Sequence, residues 1–232
     1  YEISACLVGS EMCIRDRTKA RMLLEMDVTL TSGNASVLFG ARDASNVFMW
    51  SVNTLDNEKE PLIRRHIYDG GRLQSSDTPI GKFFTKSDLL NKEHHLAIEA
   101  KDGVVKTYID KVLVDTYTDT DSKLSNGYIG FRAFRGNNTN ETAMFDNIVL
   151  TEYEQKGDKE EAKVVLKEDF EKPQSTFEEG EIVTVGGNRK LNMVSASGDY
   201  RVLQASMSRV PMFRKEFKAK KKIASARIYS CL

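Results

Sequence analysis

From Arg21 to Tyr153 the chain is a succession of short runs in which apolar and polar residues alternate, broken at close intervals by clusters of Gly, Asn, Asp and Pro. A period of two sends successive side chains to opposite faces of an extended strand, so each run can bury only one face and must pair with neighbours. Many short runs of this kind specify an antiparallel all-β sandwich. The expected strands are 22–30, 36–42, 47–53, 62–68, 94–101, 104–109, 112–118, 127–133 and 143–151, with a turn at 31–34. The only helix-like piece is 86–91. Lys101-Asp102-Gly103 and Ile109-Asp110-Lys111 are tight turns, and connections that short join antiparallel partners.

Residues 154–163 are charged and without apolar periodicity, which predicts a solvated linker and a domain boundary. Beyond it, 164–166, 182–185, 200–204, 212–217 and 223–229 are again strand-like, and the chain stops within the last of them. The expected organisation is therefore a first sandwich over 18–153 and an incomplete second β-sandwich over 164–232. Residues 1–17, with two of the three Cys, read as the conceptual translation of a sequencing adapter, which would put the native N-terminus upstream.

Composition narrows the function. With 34 Lys+Arg against 34 Asp+Glu the formal net charge is zero, so no field holds a polyanion and nucleic acid is not an expected partner. No apolar run approaches the roughly 20 residues a helix needs to span a bilayer, so no membrane partner is expected. Three Cys, placed at positions 6, 13 and 231, are too few for a disulfide scaffold.

Strand parity divides the candidate residues. Phe48, Trp50 and Val52 share one face against Met49, Ser51 and Asn53, and Trp50, the only Trp, is expected in the core. Ile63, Arg65 and Ile67 oppose Arg64, His66 and Tyr68. A guanidinium offers paired donors to hydroxyls, an imidazole a donor and an acceptor, and a tyrosine ring an apolar surface, which suits a saccharide. Parity alone equally allows a solvated outer face with Tyr68 at its rim. Asp43 and Asn46 supply hard oxygens on the loop after 36–42, as calcium requires, and also fit plain turn formers.

Arg42–Trp50, Pro61–Tyr68, His94–Glu99 and Phe145–Ile148 together resemble the concanavalin-A-like module near the N-terminus of bacterial α-L-rhamnosidases, and 210–217 with 226–229 are similar to the start of the β-sandwich that follows it there. The resemblance implies a concanavalin-A-like jelly-roll sandwich that binds rhamnose-containing oligo- or polysaccharide with calcium, in a secreted or periplasmic glycoside hydrolase whose catalytic barrel lies further downstream. The sugar-binding residues it implies are Asn46, Asn53, Arg64, His66 and Tyr68, with Asp43 and Asn46 on the metal. That family uses an adjacent carboxylate and amide in the loop; here Ser45 precedes Asn46. The alternatives are a structural spacer without sugar binding and, third, a lectin-fold glycan hydrolase.

The hydrolase signature, Glu-x-Asp-x-x-Glu on one strand, starts at Glu25-Met26-Asp27 and fails at Leu30, so Glu25 and Asp27 are expected as outward solvated residues. His94 and His95 are adjacent and must face opposite sides, which prevents joint chelation. No Ser or Cys nucleophile and no phosphate-binding glycine loop stands out. The glycosylation-type triplets at Asn34, Asn137 and Asn140 and the basic run 218–222 carry no weight.

Overall fold

The computed structural model describes residues 20–43, 45–121, 123–124, 127–136, 139–156, 158–172, 177, 181–194 and 198–203, with the short pair 215–216 and 227–228. Residues 1–17, the basic run 218–222, Asn137 and most of the second rhamnosidase-like stretch lie outside the described residues.

Two antiparallel sheets face each other. The first carries β1 (Met22–Ser32), β6 (Glu93–Lys101), β7 (Val104–Ile109), β8 (Val112–Thr118), β11 (Thr142–Lys156), β12 (Lys159–Glu168), β13 (Glu181–Val185) and β14 (Asn188–Val194). Their order is β13-β14-β11-β1-β6-β7-β8, with β12 also on β11. The second sheet carries β2 (Asn34–Asp43), β3 (Asn46–Asn53), β4 (Leu62–Asp69), β5 (Arg72–Pro79), β9 (Tyr128–Gly136), β10 (Thr139–Asn140) and β15 (Gly198–Leu203). Its order is β10-β9-β2-β3-β4-β5, with β15 on β9. One helical turn, α1 (Lys86–Leu89), is capped at both ends of its first turn by the Thr85 and Asp88 side chains.

Local chemistry sets this arrangement. In β1 the alternation is strict: Met22, Leu24, Met26, Val28 and Leu30 are buried and the residues between them are half-buried. Asp102 and Gly103 (φ 52° and 81°) and Asp110 and Lys111 (φ 50° and 69°) both take left-handed conformations, the geometry that joins strands by two residues. β6, β7 and β8 are accordingly a meander, as the turns predict. Between the sheets, Phe131 stacks on Phe145 with centroids 4.1 Å apart, and Phe39 meets Trp50 edge-on at 5.0 Å. Trp50 is a core residue, as expected.

The segment expected to be a linker is instead the outer half of a hairpin. β11 and β12 pair from Ile148↔Glu168 to Lys156↔Lys159 with one register shift after Leu150, so residues 154–156 and 159–163 are ladder-bonded strand. The charges that make the segment look solvated close it laterally: Lys156 pairs with Glu161, and Arg21 and Lys101 both reach Glu160. Nor do the strands that follow start a separate sandwich within the described residues. β14 extends β11, β15 extends β9, and Leu166, Phe170, Phe177, Leu191 and Met193 are buried in the same core as β1.

Candidate functional site

The site residues read from parity fall on the second sheet, on its face away from the inter-sheet core. Register places Arg132, Ser36, Ser51, Arg64 and Asp77 in one row across β9, β2, β3, β4 and β5. To one side lies the row Leu38, Met49, His66 and Ser75; to the other, Asn34, Asn53 and Leu62. Asn53, Arg64, His66 and Tyr68 therefore share a face, as alternation requires. Its burial is unexpected: Met49, Ser51 and Asn53 are closed off almost as fully as the core.

Several groups on this face have defined partners. Arg64 forks onto Asp77, with Nε donating to Oδ1 at 2.9 Å and Nη2 to Oδ2 at 2.8 Å, while Nη2 also donates to Glu58 at 2.9 Å. The bond from Arg64 holds the Asp77 carboxyl below its usual range and raises the guanidinium further above its own. The Ser36 and Ser51 hydroxyls bond to each other at 2.8 Å. Asn34 Nδ2 donates to the buried Glu141 at 3.0 Å, and Arg132 lies 3.8 Å from the same carboxylate. Beyond His66 an apolar island of Leu38, Ala41, Val47 and Met49, separate from the main core, is flanked by the half-buried rings of Tyr68 and Tyr128.

Asp43 and Asn46 stand apart from this face, at the β2–β3 turn. Asn46 Nδ2 donates to both Asp43 oxygens at 2.9 Å, and Asn46 Oδ1 accepts from Gly70 N at 3.0 Å. Gly71 N in turn donates to Ser45 O at 2.8 Å, so the side chain and backbone of this turn clamp it to the β4–β5 turn. The amide thus shows the carboxylate its nitrogen, which is no ligand for a hard cation. Turning it would set its nitrogen against the Gly70 N–H. In this arrangement the pair does not fit calcium.

The residues that sequence reading missed are Asn34, Ser36, Tyr128, Arg132 and Glu141. Asn34 was expected in a turn, yet it is the first residue of β2, directly opposite Asn53. The one available signal was the parity of β2 carried across to β3; Glu141 lies between strands and gave none.

The opposite outer face, on the first sheet, holds a carboxylate cluster. Asp27 and Asp146 are cross-strand partners on β1 and β11. His95 Nδ1 lies 3.1 Å and Asn147 Nδ2 2.8 Å from Asp27, and Lys190 pairs with Glu93 and lies 3.9 Å from Asp146. Burial raises the Asp146 carboxyl above its usual range. Glu25 and Asp27 do point outward, tied to His95 rather than free in solvent. His94 turns the other way, its Nδ1 2.7 Å from Asp110 Oδ2, and lines a cavity of about 20 Å³ between the sheets. That void is apolar and holds nothing larger than a water molecule.

The fold and this face define a two-sheet antiparallel β-sandwich with a polar row and a tyrosine-flanked apolar island on one outer surface. No protein-family model matches the chain and no curated protein matches it. Among solved structures it is similar to a carbohydrate-binding module, CBM66, from Bacillus subtilis, at 24% identity and TM-score 0.42 over 56% of this chain and 74% of that one. It is also similar to the κ-carrageenase of Pseudoalteromonas carrageenovora, at 8% identity and TM-score 0.30 over 80% and 65%. A third is a botulinum neurotoxin serotype D binding domain, at 8% identity and TM-score 0.32 over 92% and 78%. None of these three is a rhamnosidase.

Proposed function

We propose that this sandwich is a non-catalytic carbohydrate-binding unit of a glycan-degrading enzyme, and that the outer face of its second sheet takes rhamnose-containing glycan. The observation that carries the reading is the juxtaposition of Tyr68 and Tyr128, set on an apolar island, with His66 and the polar row beside them. A sugar ring has an apolar C–H face and a polar rim, and a 6-deoxy sugar adds a methyl group, so it asks for both kinds of surface at once. The carboxylates on this face are held by Arg64, Arg132 and Asn34, which leaves them to position donors rather than to shuttle protons. Such a unit works by raising the local concentration of an attached catalytic domain on its polymer.

A spacer without sugar binding is the second reading, favoured by the burial of Met49, Ser51 and Asn53. Calorimetric titration of the chain with L-rhamnose, with calcium and again with chelator, separates the two. Saturable heat that Tyr68→Ala removes without lowering the melting temperature supports the binder. Absence of heat from a folded sample in both conditions supports the spacer, and heat lost only with chelator assigns calcium a role that Asp43 and Asn46 would have to rearrange to fill.

A further inference from the structure

We propose that Leu73 sets the sugar specificity of this face, receiving the methyl group of a 6-deoxy sugar at the open edge of the second sheet. The inference rests on the reading of the face as a sugar binder and goes beyond it by naming where the ring is met and which residue selects it. The middle of the face is shut: Met49 is 1%, Ser51 2% and Asn53 0% exposed. A ligand coming from solvent therefore meets the face at its margin, where β5 is the edge strand.

Of the eight residues of β5 all but Thr78 are exposed, and Leu73 is the only one besides Pro79 with an apolar side chain. Leu73, Ser75 and Asp77 are registered with Tyr68, His66 and Arg64, so alternation puts the three on the outer face. The residues between them turn beneath the sheet, where Ser76 accepts from Arg65 and Thr78 donates to Asp115. A lone exposed leucine would carry no message. Leu73, at 47% exposure, instead continues the row Val47, Tyr68, Leu73, whose first two members belong to the apolar island. Side chains directly paired on neighbouring strands have Cβ atoms about 4.5–5.5 Å apart. The island thus reaches solvent as a strip graded from buried Val47 through half-buried Tyr68 to Leu73.

The strip is held in place and left open. Gly70 and Gly71, with φ of 56° and 82°, form the turn that leads into β5, and Gly70 N and Gly71 N tie it to Asn46 Oδ1 and Ser45 O. A side chain begun at Gly70 would meet nothing within 4 Å, so that end of the row is uncrowded. Beside the strip, the exposed Ser75 hydroxyl stands opposite His66 and suits the hydroxyls of a ring, while Asp77 is committed to Arg64. An aliphatic chain next to a tyrosine ring favours a methyl group over a hydroxymethyl group, whose oxygen would give up water there without gaining a partner.

The test is calorimetric titration of the whole chain with L-rhamnose and with L-mannose, which carry a methyl and a hydroxymethyl group on the same ring. The parent is expected to prefer L-rhamnose by about fourfold, the worth of one methyl group taken out of water. Leu73→Ser should lower L-rhamnose affinity by about that factor and leave L-mannose within about twofold, at an unchanged melting temperature, so that the preference disappears. Leu73→Met should keep it. Leu113→Ser, at a leucine also exposed but on the other sheet, should leave both affinities at the parent values. A preference that survives in Leu73→Ser, or a parent that binds L-rhamnose without distinguishing the two sugars, overturns the assignment while the sugar-binding reading stands. A preference lost equally in Leu113→Ser overturns it as well. A folded chain that binds neither sugar overturns both.

Discussion

Asn46 offers the sharpest discrimination between a ligand-binding loop and a structural clamp. Replacing it by Ala removes a donor to both oxygens of Asp43 and the acceptor of Gly70 N–H. A hydrogen bond to a charged partner contributes about 1.5–3 kcal/mol and a neutral one about 1 kcal/mol; with the turn half-exposed, a loss of about 2 kcal/mol is reasonable. For a sandwich of this size that lowers the melting temperature by about 4–8 °C. Asn46→Asp should cost more than Asn46→Ala in chelator, because an oxygen replaces the nitrogen that faces the Asp43 carboxylate. The assay is thermal unfolding followed by circular dichroism, for all three proteins, in calcium and in chelator. A melting temperature unmoved by Asn46→Ala in chelator would refute the clamp. So would Asn46→Asp proving more stable than the parent once calcium is added, since two adjacent hard oxygens would then be serving a cation.

Two further outcomes follow from groups off that turn. Asp146 has its carboxyl raised by burial, so the folded state holds its proton to higher pH than the unfolded chain does, and stability declines as pH rises from the ordinary carboxyl range through the raised value. Asp146→Asn should therefore stabilise the protein at neutral pH and not in strong acid, and urea melts at several pH values giving a gain that does not grow with pH would count against this. Trp50, the sole Trp, points into the core, away from the proposed sugar face. Its emission should be blue-shifted, indifferent to added sugar and red-shifted on unfolding; a shift with saturating sugar at constant fold would relocate the site.

How far the sequence was legible depends on whether a strand has a dry side. β1 has one, and its alternation gave its extent; β3 is buried on both sides, and there the bulky set Phe48, Trp50 and Val52 on one face gave the inward course of Trp50. β5, Arg72–Pro79, lies at the sheet edge with seven of its eight residues exposed, so no hydrophobic period existed to be read. The β11–β12 ribbon hid for a related reason: exposed on both sides at its tip, it is held by cross-strand ladder bonds and ion pairs, and composition cannot tell those from a solvated linker. At the site, parity set Met49, Ser51 and Asn53 together on one strand and Arg64, His66 and Tyr68 together on the next, because alternation is a property of the backbone, while the register that brings the two sets to one face is not written in either run. Parity could not show that Asn46 is clamped to Gly70, nor that Asn34 meets Glu141, because those contacts join residues distant in sequence; the Asn46–Asp43 bond is local, and there residue types alone fit a metal site and a turn equally.

The placement of β1 also bears on how the protein is made. Met22 is held by Ala100 on one side and Glu152 on the other, so its partners emerge from the ribosome long after it does. At about 5–20 residues per second, the gap of about 130 residues between Met22 and Glu152 keeps the apolar stripe of Met22, Leu24, Met26, Val28 and Leu30 without its final cover for roughly 7–26 s. Pairings this remote also fold slowly once the chain is complete. A cell producing this sandwich must shelter its first strand throughout that interval, and the β11–β12 ribbon that seals it arrives among the last pieces.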